Sequence, residues 1–277
     1  MTLTKQSKIS LVISDVDGTL INSEKMLTAK TLAAVAKLQE ANILFAIASA
    51  RPPFGLKTIV KTIELQQPFG SFNGGAILNP NFDIIERTIL PSETISAIIA
   101  TIESYGLDIW LNSDRHWYLK DPQGAHVAHH RESLQFEPTV ISDYEDIEDE
   151  ICKIVGVGAD IAAVAECETA MQQKFGSRLC ATRSQTYYLD VTHPDANKGM
   201  VVKKLSQLLA IPQAEIVTIG DNHNDISMFE QSGNSIAMGN ASLEVQQRAT
   251  FVTSTNDNEG FAKAIENLVL GSLARSK

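Results

Sequence analysis

Two acidic clusters at opposite ends of the chain carry the residues best suited to chemistry. Near the start stands Asp15-Val16-Asp17-Gly18-Thr19, and near the end Gly220-Asp221-Asn222-His223-Asn224-Asp225. Two carboxylates one residue apart can face one hard cation and one substrate. Gly18 permits a sharp exit, and Thr19 adds a hydroxyl. The second cluster supplies Asp221 and Asp225 together with Asn224. Clustered carboxylates repel unless a cation or a proton sits among them, and an all-oxygen donor set suits Mg2+. Lys198 follows the turn-like stretch THPDAN at 192–197 and starts a helical pattern. A lysine near such carboxylates can hold a phosphoryl oxygen as a point charge.

These groups are far apart in the chain, so the fold must bring them together. Residues 9–15 form a short, mostly apolar run ending in Asp15. Residues 43–49 repeat the design and end in Ser49, and residues 215–221 repeat it again and end in Asp221. Continuous apolar runs of this length suit strands buried on both faces, as in a parallel sheet. Ligands of open α/β sheets bind outside the carboxyl ends of the strands. Asp15, Ser49 and Asp221 are therefore expected to converge.

Thr28 is placed to cap a helix over about 29–41. Val201, Leu205 and Leu208 share one helical face, as do Phe261, Ala264, Ile265 and Leu268. Strands alternating with helices predict an α/β fold. The middle of the chain reads differently. Strands are expected at 83–90, 107–111, 115–120, 151–157 and 186–191, with helices at 92–105 and 160–175. This is an α+β module inserted into the α/β core, with junctions at 79–82 and 192–199.

Composition narrows the classes. The 277 residues suit two domains, and 44% hydrophobic with 20% charged residues is ordinary for a soluble globular protein. Lys and Arg total 23 against 33 Asp and Glu, a formal net charge of −10. Such a chain gains nothing from phosphate-backbone attraction, which argues against a nucleic-acid partner. No stretch approaches the ~20 apolar residues of a membrane span, and the start lacks a signal-peptide pattern. The three cysteines, Cys152, Cys167 and Cys180, form no CxxC pair and read as buried small hydrophobes in a reducing compartment. A cytoplasmic location is expected, with the oligomeric state left open.

The motif set resembles the haloacid dehalogenase (HAD) superfamily. Asp15-Val16-Asp17-Gly18-Thr19, Ser49, Lys198 and Gly220–Asp225 stand in the order of its four motifs. The resemblance is closer to its Cof-type branch: Asn73-Gly74-Gly75 matches a motif before the cap, and residues 235–260 match the branch's closing segment. Ala50 stands where the second motif commonly has glycine. The resemblance implies a Rossmann-like core over about 1–81 and 191–277, with an α+β cap at about 82–190 that chooses the leaving group. It implies a Mg2+-dependent phosphatase acting on small phosphorylated metabolites such as sugar phosphates. Asp15 would be the nucleophile and Asp17 the acid and base. Mg2+ would sit between Asp15, the backbone carbonyl of Asp17 and Asp221, supported by Asp225. Ser49, Asn224 and Lys198 would bind the phosphoryl oxygens, with Arg51 and Asn73 as candidate substrate contacts. A phosphotransferase or phosphomutase on the same scaffold is an alternative. So is a non-catalytic, receiver-like phosphate sensor, against which Asp17 and the large insertion argue.

Other features have plainer readings. Gly156-Val157-Gly158 lacks the third glycine of a dinucleotide fingerprint, because Ile161 occupies that position, and reads as a strand-to-helix turn. His126, His129 and His130 lack the further ligand a zinc site wants. The acidic run 143–150 reads as a solvated loop or helix face, and Trp110 and Trp117 as packing within the insertion.

Overall fold

The computed structural model describes residues 8–271. They fall into two compact units. The first comprises the described residues up to Ala50, Thr58–Ile85, and those from Asn197 onward; the second comprises Arg51–Lys57 and Glu86–Ala196.

The first unit is built on a five-stranded sheet. Its order is Phe251–Val252, Asn234–Ala237, Ile216–Gly220, Leu11–Ser14, Leu44–Ile47, and every pairing is parallel. The three runs singled out in the sequence are therefore neighbours. Leu11 pairs with Ile216 on one side and Leu44 on the other. Leu11, Val12 and Ile13 are fully buried, the signature of a strand covered on both faces. Each such side chain contributes about 1.5–3 kcal/mol by leaving water. Helices supply the cover. Ala29–Glu40 is capped by Thr28, whose hydroxyl accepts from the Thr31 amide. Lys198–Leu208 is capped by Asn197, which accepts from the Met200 amide, and it buries Val201, Val202 and Leu205 against Leu11 and Ile13. The last apolar stripe forms the helix Gly260–Lys263, which widens into a π-helix over Ala264–Leu270. A smaller sheet joins Phe69–Ser71, Ala76–Leu78 and Ile84–Arg87.

The second unit holds a six-stranded sheet in the order Cys180–Gln185, Tyr188–Thr192, Lys153–Val157, Asp108–Asn112, Trp117–Leu119, Thr139–Val140. Side chains alternate between its faces. One face packs Ile109, Leu111, Ile154 and Leu189 against the helices Ser92–Ser104 and Ile161–Phe175. The other packs Trp110, Trp117, Val155 and Tyr188 against Phe54, Val127 and Leu134. Phe54 also stacks on Phe136 at 3.9 Å between ring centroids, so the short segment Arg51–Lys57 belongs with this unit. The expected strands and helices of the middle region all form, and Gly158 lies in the turn between Val157 and the helix starting at Ile161. The strand Cys180–Gln185 was not anticipated. It is an edge strand, and Cys180 at its start is partly exposed rather than buried. His126 stacks on Tyr187 (4.0 Å), and His130 packs against both Trp110 and Trp117. Burial lowers His130 to about 3, so its imidazole is neutral.

Candidate active site

The parallel strands place their carboxyl ends side by side, and the acidic residues follow directly. Asp15 comes after Ser14, and Asp221 after Gly220. The Asp15 amide donates to the Ile219 carbonyl (2.8 Å), which fixes the start of one loop on the neighbouring strand. Gly18 then turns the chain with φ +80°, a conformation that L side chains seldom adopt. A β-carbon there would also come within 2.3 Å of the Asp221 carboxylate. The Thr19 hydroxyl donates to Asp221 Oδ1 (2.8 Å), and Asn240 donates to both the Gly18 carbonyl (2.9 Å) and Asp221 Oδ2 (3.2 Å).

Lys198 begins its helix inside the unit, 1% exposed. Its ammonium donates to Asp15 Oδ1 (2.6 Å) and Asp225 Oδ1 (2.5 Å). The second oxygen of Asp225 accepts the backbone N–H groups of Asp221 (2.8 Å) and Asn222 (2.9 Å). Asp225 thus ties the lysine to the loop that carries Asp221.

Asp15, Asp221 and Asp225 can each offer an oxygen such that all three lie within 4.8 Å of one another. Three carboxylates face one ammonium, and the imbalance shows in the ionisation of Asp15 and Asp221. Burial pushes the Asp15 carboxyl well above its usual range; Lys198 pulls it back, while Asp225 and Asp221 push it further. Burial, then the Asp225 charge, push Asp221 up to about 6. Burial works against the Lys198 charge too, but Asp15 and Asp225 outweigh it and hold the ammonium above its ordinary range. The cluster is therefore short of positive charge. A divalent cation would supply it, and an all-carboxylate set of oxygen donors suits a hard ion. The residues present fit a Mg2+ site.

The Asp17 carboxylate stands outside this group of three. It is partly exposed, and Lys25 donates to its Oδ1 (2.9 Å).

A second set lies along the edge of the strand Leu44–Ile47. Ser49 is buried, and its amide donates to the Gly70 carbonyl (3.0 Å). The Asn73 amide donates to the Ser49 carbonyl (2.8 Å). Asn224 Nδ2 donates to Asn73 Oδ1 (2.9 Å), while Asn224 Oδ1 is buried without a hydrogen-bond partner. Ser49, Asn73 and Asn224 are thus linked in one chain of contacts. Arg51 belongs to the second unit, where its guanidinium donates to the carbonyls of Gly55 (3.1 Å) and Ser133 (3.4 Å).

Lys25 and Asn240 escaped the sequence reading. Asn240 had a usable signal, since it follows the strand Asn234–Ala237 and strand ends are where ligands bind. Lys25 had none, being one lysine in a polar turn.

The motifs and this geometry agree with the comparison to known proteins. The family model for haloacid dehalogenase-like hydrolases matches residues 12–265. This chain belongs to that family. A Haemophilus influenzae relative of this HAD hydrolase is 30% identical over 258 residues, covering 92% of this chain and 96% of its own. A Bacillus subtilis protein named 5-amino-6-(5-phospho-D-ribitylamino)uracil phosphatase YwtE is 28% identical, covering 94% and 98%. Among solved structures, a haloacid dehalogenase-like hydrolase from Bacteroides thetaiotaomicron superposes with a TM-score of 0.86 at 26% identity, over 94% of this chain and 99% of that one. The Rossmann-like α/β core and the inserted α+β unit are the architecture of this family, in its Cof-type branch. No helix among the described residues is long and apolar enough to cross a membrane.

Proposed function

We propose that this HAD phosphatase hydrolyses small phosphomonoesters, sugar phosphates or similar metabolites, with Mg2+ and through an aspartyl phosphate on Asp15. The observation that carries the reading is the buried Lys198 ammonium between Asp15 and Asp225, beside Asp221. A buried lysine locked to carboxylates at converging strand ends is poorly explained by stability alone, since such pairs cost much of their attraction in desolvation. The phosphatase named among the relatives acts on a phosphorylated ribityl compound, which supports small sugar-like esters as the class.

Asp15 attacks phosphorus in line, and the ester oxygen leaves as the new aspartyl bond forms. Asp17 gives its proton to that leaving oxygen. Asp17 then takes a proton from water as the water attacks the aspartyl phosphate, releasing phosphate and restoring Asp15. Lys198 and the Ser49 hydroxyl hold the transferring oxygens. Asn224 joins them: its amide nitrogen carries two hydrogens, and Asn73 takes one. Asp15 and Asp221, the Asp17 carbonyl, and Asp225 behind them would hold the cation, which when bound neutralises charge on the phosphoryl oxygens. Arg51 and Asn73 are the candidate contacts for the rest of the substrate.

The test is phosphate release from a panel of phosphorylated metabolites with Mg2+, with EDTA, and with Asp15→Asn. Release that needs both Mg2+ and Asp15 is expected. Equal release by Asp15→Asn would remove the nucleophile, and transfer of phosphate to a second hydroxyl in place of water would move the chain to the phosphotransferase reading.

A further inference from the structure

Asp17 is held by a cation that none of the family motifs contains. Lys25 Nζ lies 2.9 Å from Asp17 Oδ1, and both side chains are partly exposed, at 49% and 38%. An ion pair so open to water is a weak stabiliser. Its effect on the direction of the carboxylate is another matter, because the backbone on both sides of the pair is fixed.

On the Asp17 side, the amides of Leu20 and Ile21 both donate to the Val16 carbonyl (3.0 and 3.1 Å), folding the loop after the first strand back on itself. On the Lys25 side, the turn 22–26 is closed three times. The Asn22 amide donates to the Met26 carbonyl (3.1 Å), the Met26 amide to Asn22 Oδ1 (2.8 Å), and the Lys25 amide to the Asn22 carbonyl (3.0 Å). The turn is also anchored from outside. The Ser23 amide and hydroxyl donate to the two oxygens of Asp257 (2.8 and 2.7 Å), and Asn256 donates to the Ile21 carbonyl (3.2 Å). Closure puts Lys25 at φ +62°, a left-handed conformation uncommon for a residue with a side chain. The ammonium therefore reaches Asp17 from a fixed point on the backbone.

We propose that Lys25 is a positioning residue for the acid–base step. By engaging Oδ1 it fixes the plane from which Asp17 protonates the leaving oxygen and later accepts a proton from water. The proposal rests on Asp17 being the acid–base group. It is distinct from a merely structural tie of the turn, which would act on every substrate alike.

Leaving-group dependence separates the two. An alkyl phosphate needs its leaving oxygen protonated, whereas p-nitrophenolate leaves without a proton. Wild type, Lys25→Gln, Lys25→Arg and Asp17→Asn are compared by kcat/KM on both, with saturating Mg2+. Lys25→Gln is expected to lose ~10-fold on the alkyl ester, a modest part of what general acid catalysis supplies, and under about twofold on p-nitrophenyl phosphate. Lys25→Arg recovers most of the loss, and Asp17→Asn shows the same bias more strongly. Equal losses on both esters, or none, with Asp17→Asn still biased, would overturn the role of Lys25 and leave Asp17 in place. An Asp17→Asn enzyme as active as wild type on the alkyl ester would remove the acid–base reading and the proposal with it.

Discussion

Gly18 and Asp221 approach so closely that no side chain fits between them: a β-carbon at position 18 would fall 2.3 Å from the Asp221 carboxylate. The turn at φ +80° adds a second demand for glycine. Gly18→Ala must therefore displace Asp221, strain the turn, or both. The expected cost is about 1–3 kcal/mol of stability, as for overpacking elsewhere. Because Asp221 is a proposed ligand of the cation, Mg2+ affinity should fall as well. Isothermal titration with Mg2+ and a denaturant melt of the same variant check the two effects, and unchanged affinity would show that Asp221 does not bind the ion.

Removing the lysine at the centre of the cluster should be severe. Lys198→Met leaves Asp15 and Asp225 buried without their shared donor, and breaking a buried pair costs roughly 3–5 kcal/mol. Loss of a preorganised charge on the phosphoryl group lowers kcat by at least ~100-fold. Lys198→Arg should not restore it, because a planar guanidinium cannot take the place of an ammonium that makes two short bonds in a fully enclosed space. Steady-state rates and unfolding midpoints decide this, and a Lys198→Arg enzyme with wild-type rate would contradict it.

The second unit offers a pH test. Asp149 Oδ2 accepts from the Ser113 hydroxyl (2.6 Å), His116 Nδ1 (2.8 Å) and the Tyr118 hydroxyl (2.8 Å), joining the acidic run to the turn between two strands. Partial burial works against its charge, but these three partners hold Asp149 down at about 2. A carboxyl lowered on folding stabilises the protein at pH values above its unfolded pKa, and this contribution is lost as pH falls through the folded one. Wild type should therefore be more stable than Asp149→Asn at neutral pH. The gap should shrink from about pH 4 downward and close near pH 2. Both tryptophans lie in this unit, so their fluorescence during urea unfolding at each pH reports it. A gap independent of pH would show that the carboxylate charge is not involved.

The core was legible because its strands are short apolar runs that end in functional residues, a pattern set by burial on both faces and by chemistry at one end. Asp15, Ser49 and Asp221 needed only that logic to be grouped, and Asn240 would have followed from applying it to one more strand. Lys198 was visible as a helix-starting lysine, but its enclosure between two carboxylates depends on tertiary packing. The acidic run was only half read. Most of residues 143–150 are exposed, yet Asp149 is a three-way acceptor whose partners lie more than thirty residues away. Arg51 was read as a candidate substrate contact, and nothing in its neighbourhood of the sequence showed that Phe54 packs the segment beginning with it into the other unit. Contacts of this kind leave no local period in a sequence.

The strand Leu11–Ser14 is an interior strand of its sheet, paired with Leu44–Ile47 on one side and with Ile216–Gly220 on the other. During synthesis this fully buried strand must wait, with one hydrogen-bonding edge open, until most of the chain has left the ribosome. An unpaired apolar strand is an invitation to association with other chains. Premature termination anywhere before residue 216 would yield a product that lacks Asp221 and Asp225, two of its three clustered carboxylates, and is prone to aggregate, so the enzyme's chemistry and its solubility mature at the same moment.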